Sequence, residues 1–110
     1  MDLSYSENII LRNVLNTPIY LENARPEFFK NSSFGEIHKL AKKFWDKYNE
    51  IPSREQIKES AKLEGVTDKI DLSEIDAIYN IELSSYQEDW LTETTECFIE
   101  YKNQIGRAHV

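Results

Sequence analysis

Residues 33 to 53 read SFGEIHKLAKKFWDKYNEIPS, and this stretch decides the fold. Phe34, Ile37, Ala41, Phe44, Trp45 and Tyr48 recur at steps of three and four, which places large aromatic rings along one side of a helix and predicts that this side is buried. Ser33 and Glu36 form an S-x-x-E pattern, a capping box for the start of that helix. Pro52 is expected to stop it, because the residue before a proline is pushed out of the helical region. Ser53 and Gln56 then form an S-x-x-Q box that starts a second helix. Two helices meet across a short turn.

Working outward, the rest also reads as helices. Ser6 is placed to cap a first helix carrying Ile9, Ile10, Val14 and Leu15. Pro18 and Pro26 each open a short helix, IYLEN and PEFFK, because proline suits the first helical position. Gly65 is expected to cap the helix from Arg54 to Glu64 in the left-handed conformation. The segment VTDKIDLSEIDAIYNIEL fits either period in part; Ile75, Ile78 and Tyr79 favour a helix starting near Thr67 or Ser73. Ser85 and Glu88 suggest another capping box ahead of a last helix with Trp90, Leu91, Thr94, Cys97, Phe98 and Tyr101 on one side. The predicted fold class is all-α, a compact bundle of about six short and medium helices. Its core is expected from the central aromatic helix, the helix before Gly65 and the Trp90 helix.

The chain has 110 residues with 40% apolar and 30% charged, enough for one modest core and too little for two domains. A single cysteine, Cys97, allows no internal disulfide and points to a reducing compartment. No apolar run approaches the ~20 residues that span a bilayer, and MDLSYSENIILR lacks the basic start of a signal peptide, so we expect a soluble intracellular protein without a membrane role. Net charge is −7, unevenly spread. Residues 30 to 69 hold nine Lys or Arg against seven acids, whereas residues 70 to 100 hold nine acids and no base. Such a surface repels phosphate and argues against tight nonspecific nucleic-acid binding.

The three glycines, Gly35, Gly65 and Gly106, supply no phosphate-cradling loop and no dinucleotide fingerprint, so nucleotide hydrolysis by this chain is excluded. Cys97, His38 and His109 form no set at metal-ligand spacing, and we expect no cofactor, no metal and no catalytic residue in this chain. Cys97 reads as a small core residue and His38 as a partly buried neighbour of the apolar stripe. Glu93, Glu96 and Glu100 make a carboxylate row on the last helix. A di-metal bundle site would need a Glu-x-x-His step that is missing, so the row reads as a solvated face whose simplest use is contact with a basic partner. Arg54, Lys58 and Lys62 lie at steps of four on the second helix of the central pair, an alternative DNA-contact row of helix-turn-helix type. Interleaved Glu55, Glu59 and Glu64 weaken that alternative, and Glu59 is expected to pair with Lys62.

Tyr48, Asn49, Ile51, Pro52 and Ser53, followed by Trp90, Leu91, Glu93, Thr94, Glu96, Phe98 and Lys102 in DWLTETTECFIEYKNQ, resemble the amino-terminal domain of DnaB-like replicative helicases of T-even-type phages, including relatives that infect cyanobacteria. The resemblance runs from about Ile9 to Gln104. It implies a helical collar domain, six copies of which sit on an ATP-driven ring that travels on single-stranded DNA and associates with primase. The implied partners are other helicase subunits, phage primase and a helicase loader. ATP and Mg are implied only for a motor domain that this sequence lacks, as it lacks the family's dimerising hairpin. The implied setting is the cytoplasm of an infected bacterium. No catalytic, nucleotide-binding or DNA-loop residue of the family has a matching position. A self-contained small helical adaptor is the other expectation.

Residues 105 to 110, IGRAHV, look like the translation of a common short-read sequencing adapter whose next codon is a stop. We therefore expect a collar domain over 1–104 and a non-native tail over 105–110, with Gly106 ending the last helix by accident.

Overall fold

The hub of the fold is the first helix, α1 (Glu7–Asn16), rather than the aromatic helix. The computed structural model describes residues 7–108, with side chains for 7–105. After α1 come α2 (Pro18–Asn23), a 3-10 turn (Pro26–Phe28), α3 (Ser32–Tyr48), α4 (Arg54–Leu63), α5 (Leu72–Tyr79), a second 3-10 turn (Leu83–Ser85) and α6 (Glu88–Ala108). The described residues form an all-α bundle of six helices without strands. Ile10, Leu11, Val14 and Leu15 of α1 are fully buried, and α1 packs on α2, α3, α5 and α6. Each of these aliphatic side chains contributes about 1.5–3 kcal/mol by leaving water. The expected start at Ser6 lies outside the described residues. Glu7 opens α1 and is itself buried, where its Oε1 accepts from the Lys30 backbone N–H at 2.9 Å.

Helix α3 departs from the sequence reading at both ends. Its cap is Asn31, whose Oδ1 accepts from the Ser33 N–H at 3.0 Å; the Ser33–Glu36 box does not form. Ser33 is the second residue of the helix instead, and its hydroxyl sits 2.6 Å from Glu74 Oε2, joining α3 to α5. At the other end Asn49, not Pro52, stops the helix by entering the left-handed region at φ 57°, with its N–H donating to Trp45 O at 2.8 Å. Along α3, burial is complete at Ile37, Leu40 and Ala41, but the aromatic side is only partly covered. Phe34, Phe44 and Trp45 are half-buried and Tyr48 is exposed, since α3 is longer than the elements against which it packs.

The next corner follows expectation. Ser53 Oγ accepts from the Gln56 N–H at 3.3 Å, and Gln56 Oε1 accepts from the Ser53 N–H at 2.9 Å. Helix α4 ends in a Schellman motif. Gly65 takes φ 69° and its N–H donates to Lys62 O at 3.2 Å, while Val66 N–H donates to Ala61 O at 3.1 Å. Asp71 caps α5 by accepting from the Ser73 N–H at 2.9 Å, so α5 begins between the two expected starts, and those hydrogen bonds hold the Asp71 carboxyl below its usual range. Tyr79 O–H reaches the Pro52 carbonyl at 3.3 Å under the Arg12 guanidinium, 5.1 Å from the ring centroid. Burial pushes that phenol up to about 12, partly offset by Arg12.

Helix α6 begins at Glu88, so the Ser85–Glu88 box is absent: Leu83–Ser85 is already a 3-10 turn. It runs through Gly106 to Ala108, so Gly106 does not end it. Its buried side is Leu91, Thr95, Phe98 and Ile99, rotated from the expected one. Trp90, Cys97 and Tyr101 are exposed, and Thr94 is half-buried. The rotation has a polar cause. Thr95 Oγ1 accepts from Asn13 Nδ2 at 2.9 Å, so a buried hydroxyl and a buried amide satisfy one another across α1 and α6. Phe98 closes the core against Phe29 and edge-on to Phe28, with centroids 5.4 and 6.4 Å away. Trp90 instead stacks on Tyr86 at the surface, centroids 5.5 Å apart.

Candidate docking groove

Helix α2 is six residues long and can bury little: Leu21 enters the core while Ile19 is left 61% exposed. Between them Tyr20 leans toward α6, and its hydroxyl donates to Glu96 Oε2 at 2.9 Å. Partial burial, together with the hydrogen bond and charge of Glu96, raises the Tyr20 pKa. This bond fixes one wall of an open groove of about 460 Å³ between α2 and α6. Ile19, Tyr20 and Ile99 give it an apolar floor, Glu96 and Glu100 a charged side, and Asn23, Asn103 and Gln104 a rim of amides. Among the described residues no cationic side chain lines it.

Of the acidic row, Glu96 and Glu100 are thus brought together with exposed apolar surface, whereas Glu93 is exposed on α6 outside the groove. Sequence reasoning missed Ile19, Tyr20 and Ile99. The available signal was Ile19, an aliphatic residue on a helix too short to have two buried faces.

Arg54, Lys58 and Lys62 stand on α4 as expected, but each lies near carboxylates. Lys58 Nζ reaches both Asp76 oxygens at 3.1 and 3.2 Å, Arg54 Nε lies 3.7 Å from Asp76 and 3.5 Å from Glu55, and Lys62 pairs with Glu59 at 3.2 Å. A second, smaller groove of about 170 Å³ lies between α3 and α4. There Phe44 and Tyr48 have centroids 4.6 Å apart, Lys47 sits over the Tyr48 ring, and Lys43 pairs with Glu64. Leu63 beside them is 85% exposed.

His38 is more enclosed than expected, at 1% exposure, with Nε2 3.1 Å from the Leu21 carbonyl. Burial lowers its pKa, so the ring is neutral, Nε2–H donates, and buried Nδ1 has no hydrogen-bond partner. Cys97 is exposed, contrary to its reading as a core residue, because the turn of α6 toward Thr95 carries it outward. Among the described residues no three His, Cys, Asp or Glu are grouped to hold a metal, and no helix is long and apolar enough to cross a membrane. What the α2–α6 surface offers chemically is binding through apolar contact and negative charge. Comparison of the chain with protein-family models, curated proteins and solved structures finds no match.

Proposed function

We propose that this chain is a noncatalytic assembly domain, the amino-terminal collar piece of a phage hexameric replicative helicase, which contacts neighbouring subunits and a primase or loader in the host cytoplasm. ATP and Mg belong to the motor domain of such a protein and have no role in this chain. The observation that supports the reading is that several of the resembling residues fall on parts that define the bundle. Tyr48, Asn49, Ile51, Pro52 and Ser53 make the corner between α3 and α4, with Asn49 left-handed, Pro52 accepting from Tyr79 and Ser53 capping α4. Leu91 and Phe98 supply the α6 packing, and Glu96 lines the groove. In this reading the acidic α6 side recruits the partner and repels a strand passing through the collar.

Helix-turn-helix DNA reading is the weaker alternative, since the carboxylates near Arg54, Lys58 and Lys62 oppose phosphate. The decisive experiment is long-read sequencing of the source DNA beyond the codon for Gln104. A frame that continues into an amphipathic hairpin and a G-x-x-x-x-G-K-[ST] motor supports the helicase reading. A genomic stop after Val110 refutes it and favours a free-standing adaptor. In the full protein, reversing Glu93, Glu96 and Glu100 with primase binding and unwinding unchanged refutes the role given to the acidic side.

A further inference from the structure

The α2–α6 groove combines three features that define an occupant. Its floor is apolar, with Ile19 61% exposed on a helix otherwise anchored by Leu21 and Ile99 largely buried beside it. Among the described residues its charge has one sign, from Glu96 and Glu100. Its length is set by α6: from Glu96 to Gln104 the helix advances about 12 Å, two turns at roughly 1.5 Å per residue. Glu96 and Glu100 stand one turn apart, about 6 Å along the axis, and the Tyr20 hydrogen bond holds Glu96 in place.

We propose that this groove docks a basic amphipathic helix of a partner protein, two turns of which lie along α6. An aliphatic side chain of the partner rests on Ile19 and Ile99, and two Lys or Arg one turn apart reach Glu96 and Glu100. Charge complementarity selects this occupant. An acidic or neutral helix leaves both carboxylates facing like charge or apolar surface, and desolvating them unpaired opposes binding. The proposal deepens the docking part of the assembly reading by giving the partner's chemistry, but it is tested on this chain alone, so its failure is separate from the failure of the helicase reading.

The probe is a synthetic Leu/Lys amphipathic peptide of about 18 residues, long enough to hold a helix, titrated against the chain by calorimetry or fluorescence anisotropy. A Leu/Glu peptide of the same pattern is the control. Glu96→Gln with Glu100→Gln is expected to weaken binding about tenfold or more, whereas Asp89→Asn with Glu93→Gln, which removes the same charge off the groove, is expected to change it less than about twofold. Ile19→Ser sits on an exposed side chain and does not threaten the core; it is expected to weaken binding with little change in salt dependence. Equal losses from both charge pairs reduce the effect to general surface attraction and overturn the proposal. So does binding unaffected by Ile19→Ser, binding of the Leu/Glu peptide as tight as that of Leu/Lys, or no Leu/Lys binding up to about millimolar concentration.

Discussion

Gly35→Ala sets two physical effects against each other at one position. Gly35 lies in the first turn of α3, where alanine normally improves a helix by about 1 kcal/mol. A Cβ at Gly35, however, would stand 2.7 Å from the Pro26 carbonyl oxygen and 3.3 Å from its carbon. Ordinary contact begins near 3.4 Å, and the obstacle is backbone rather than a flexible side chain. The Pro26 carbonyl cannot retreat freely. It accepts from the Phe29 N–H, and Phe28 and Phe29, directly downstream, are packed on Phe98. Overpacking of this kind costs about 1–3 kcal/mol, and a 2.7 Å approach to backbone lies at the severe end, so less the helix gain of about 1 kcal/mol the net effect is a loss of up to about 2 kcal/mol. For a domain near 100 residues that lowers the thermal midpoint by several degrees, each kcal/mol being worth about 4–8 °C. Urea unfolding followed by far-UV circular dichroism should show a lower midpoint with an unchanged slope. A raised midpoint for Gly35→Ala would refute the close approach of the Pro26 turn to α3.

Gly65→Ala should also destabilise, by about 1–2 kcal/mol, although nothing lies within 4 Å of its Cβ, because the cost is the left-handed backbone at φ 69°; Gly65→Asn should recover part of that loss in the same urea assay. Phe98→Ala is expected to cost about 3–5 kcal/mol, whereas neighbouring Cys97→Ala should stay within about 0.5 kcal/mol; comparable losses would contradict the rotation of α6. Thr95→Val should cost about 1–3 kcal/mol by leaving the Asn13 amide unsatisfied, and an unchanged urea midpoint would argue against that pairing. For His38 the folded pKa lies below its usual 6.5, so the unfolded chain takes up the proton first and stability falls as pH drops below about 6.5. Urea midpoints at neutral and mildly acidic pH should therefore fall more steeply for the parent chain than for His38→Gln; parallel lines would show that His38 is not buried and neutral.

Local signals in the chain were strong where backbone geometry and side-chain chemistry coincide. Pro18, Pro26, the Ser53–Gln56 box and Gly65 each act through their own residue, so their positions are readable without knowing the fold. Faces were less readable. The true α6 face and the aromatic stripe beside it share Leu91 and Phe98, and what separates them is buried Ile99 and the pairing of Thr95 with Asn13, a distant partner. Caps failed for the same reason: Ser33 was drawn into a contact with Glu74, and Asn31 took the cap. The groove needed Ile19 of α2 beside Ile99 and Glu96 of α6, a juxtaposition across most of the chain that no spacing reveals. The acidic pair itself was legible, because i, i+4 carboxylates share a helix side wherever the helix docks.

The Asn13–Thr95 bond joins residues 82 positions apart, and this has a consequence for birth on the ribosome. At about 5–20 residues per second, α1 emerges roughly 4–16 s before the residues of α6 that cover it. During that interval Ile10, Leu11, Val14 and Leu15 lack one wall of their eventual enclosure. A pause in translation between α5 and α6 would lengthen the exposure of that apolar surface.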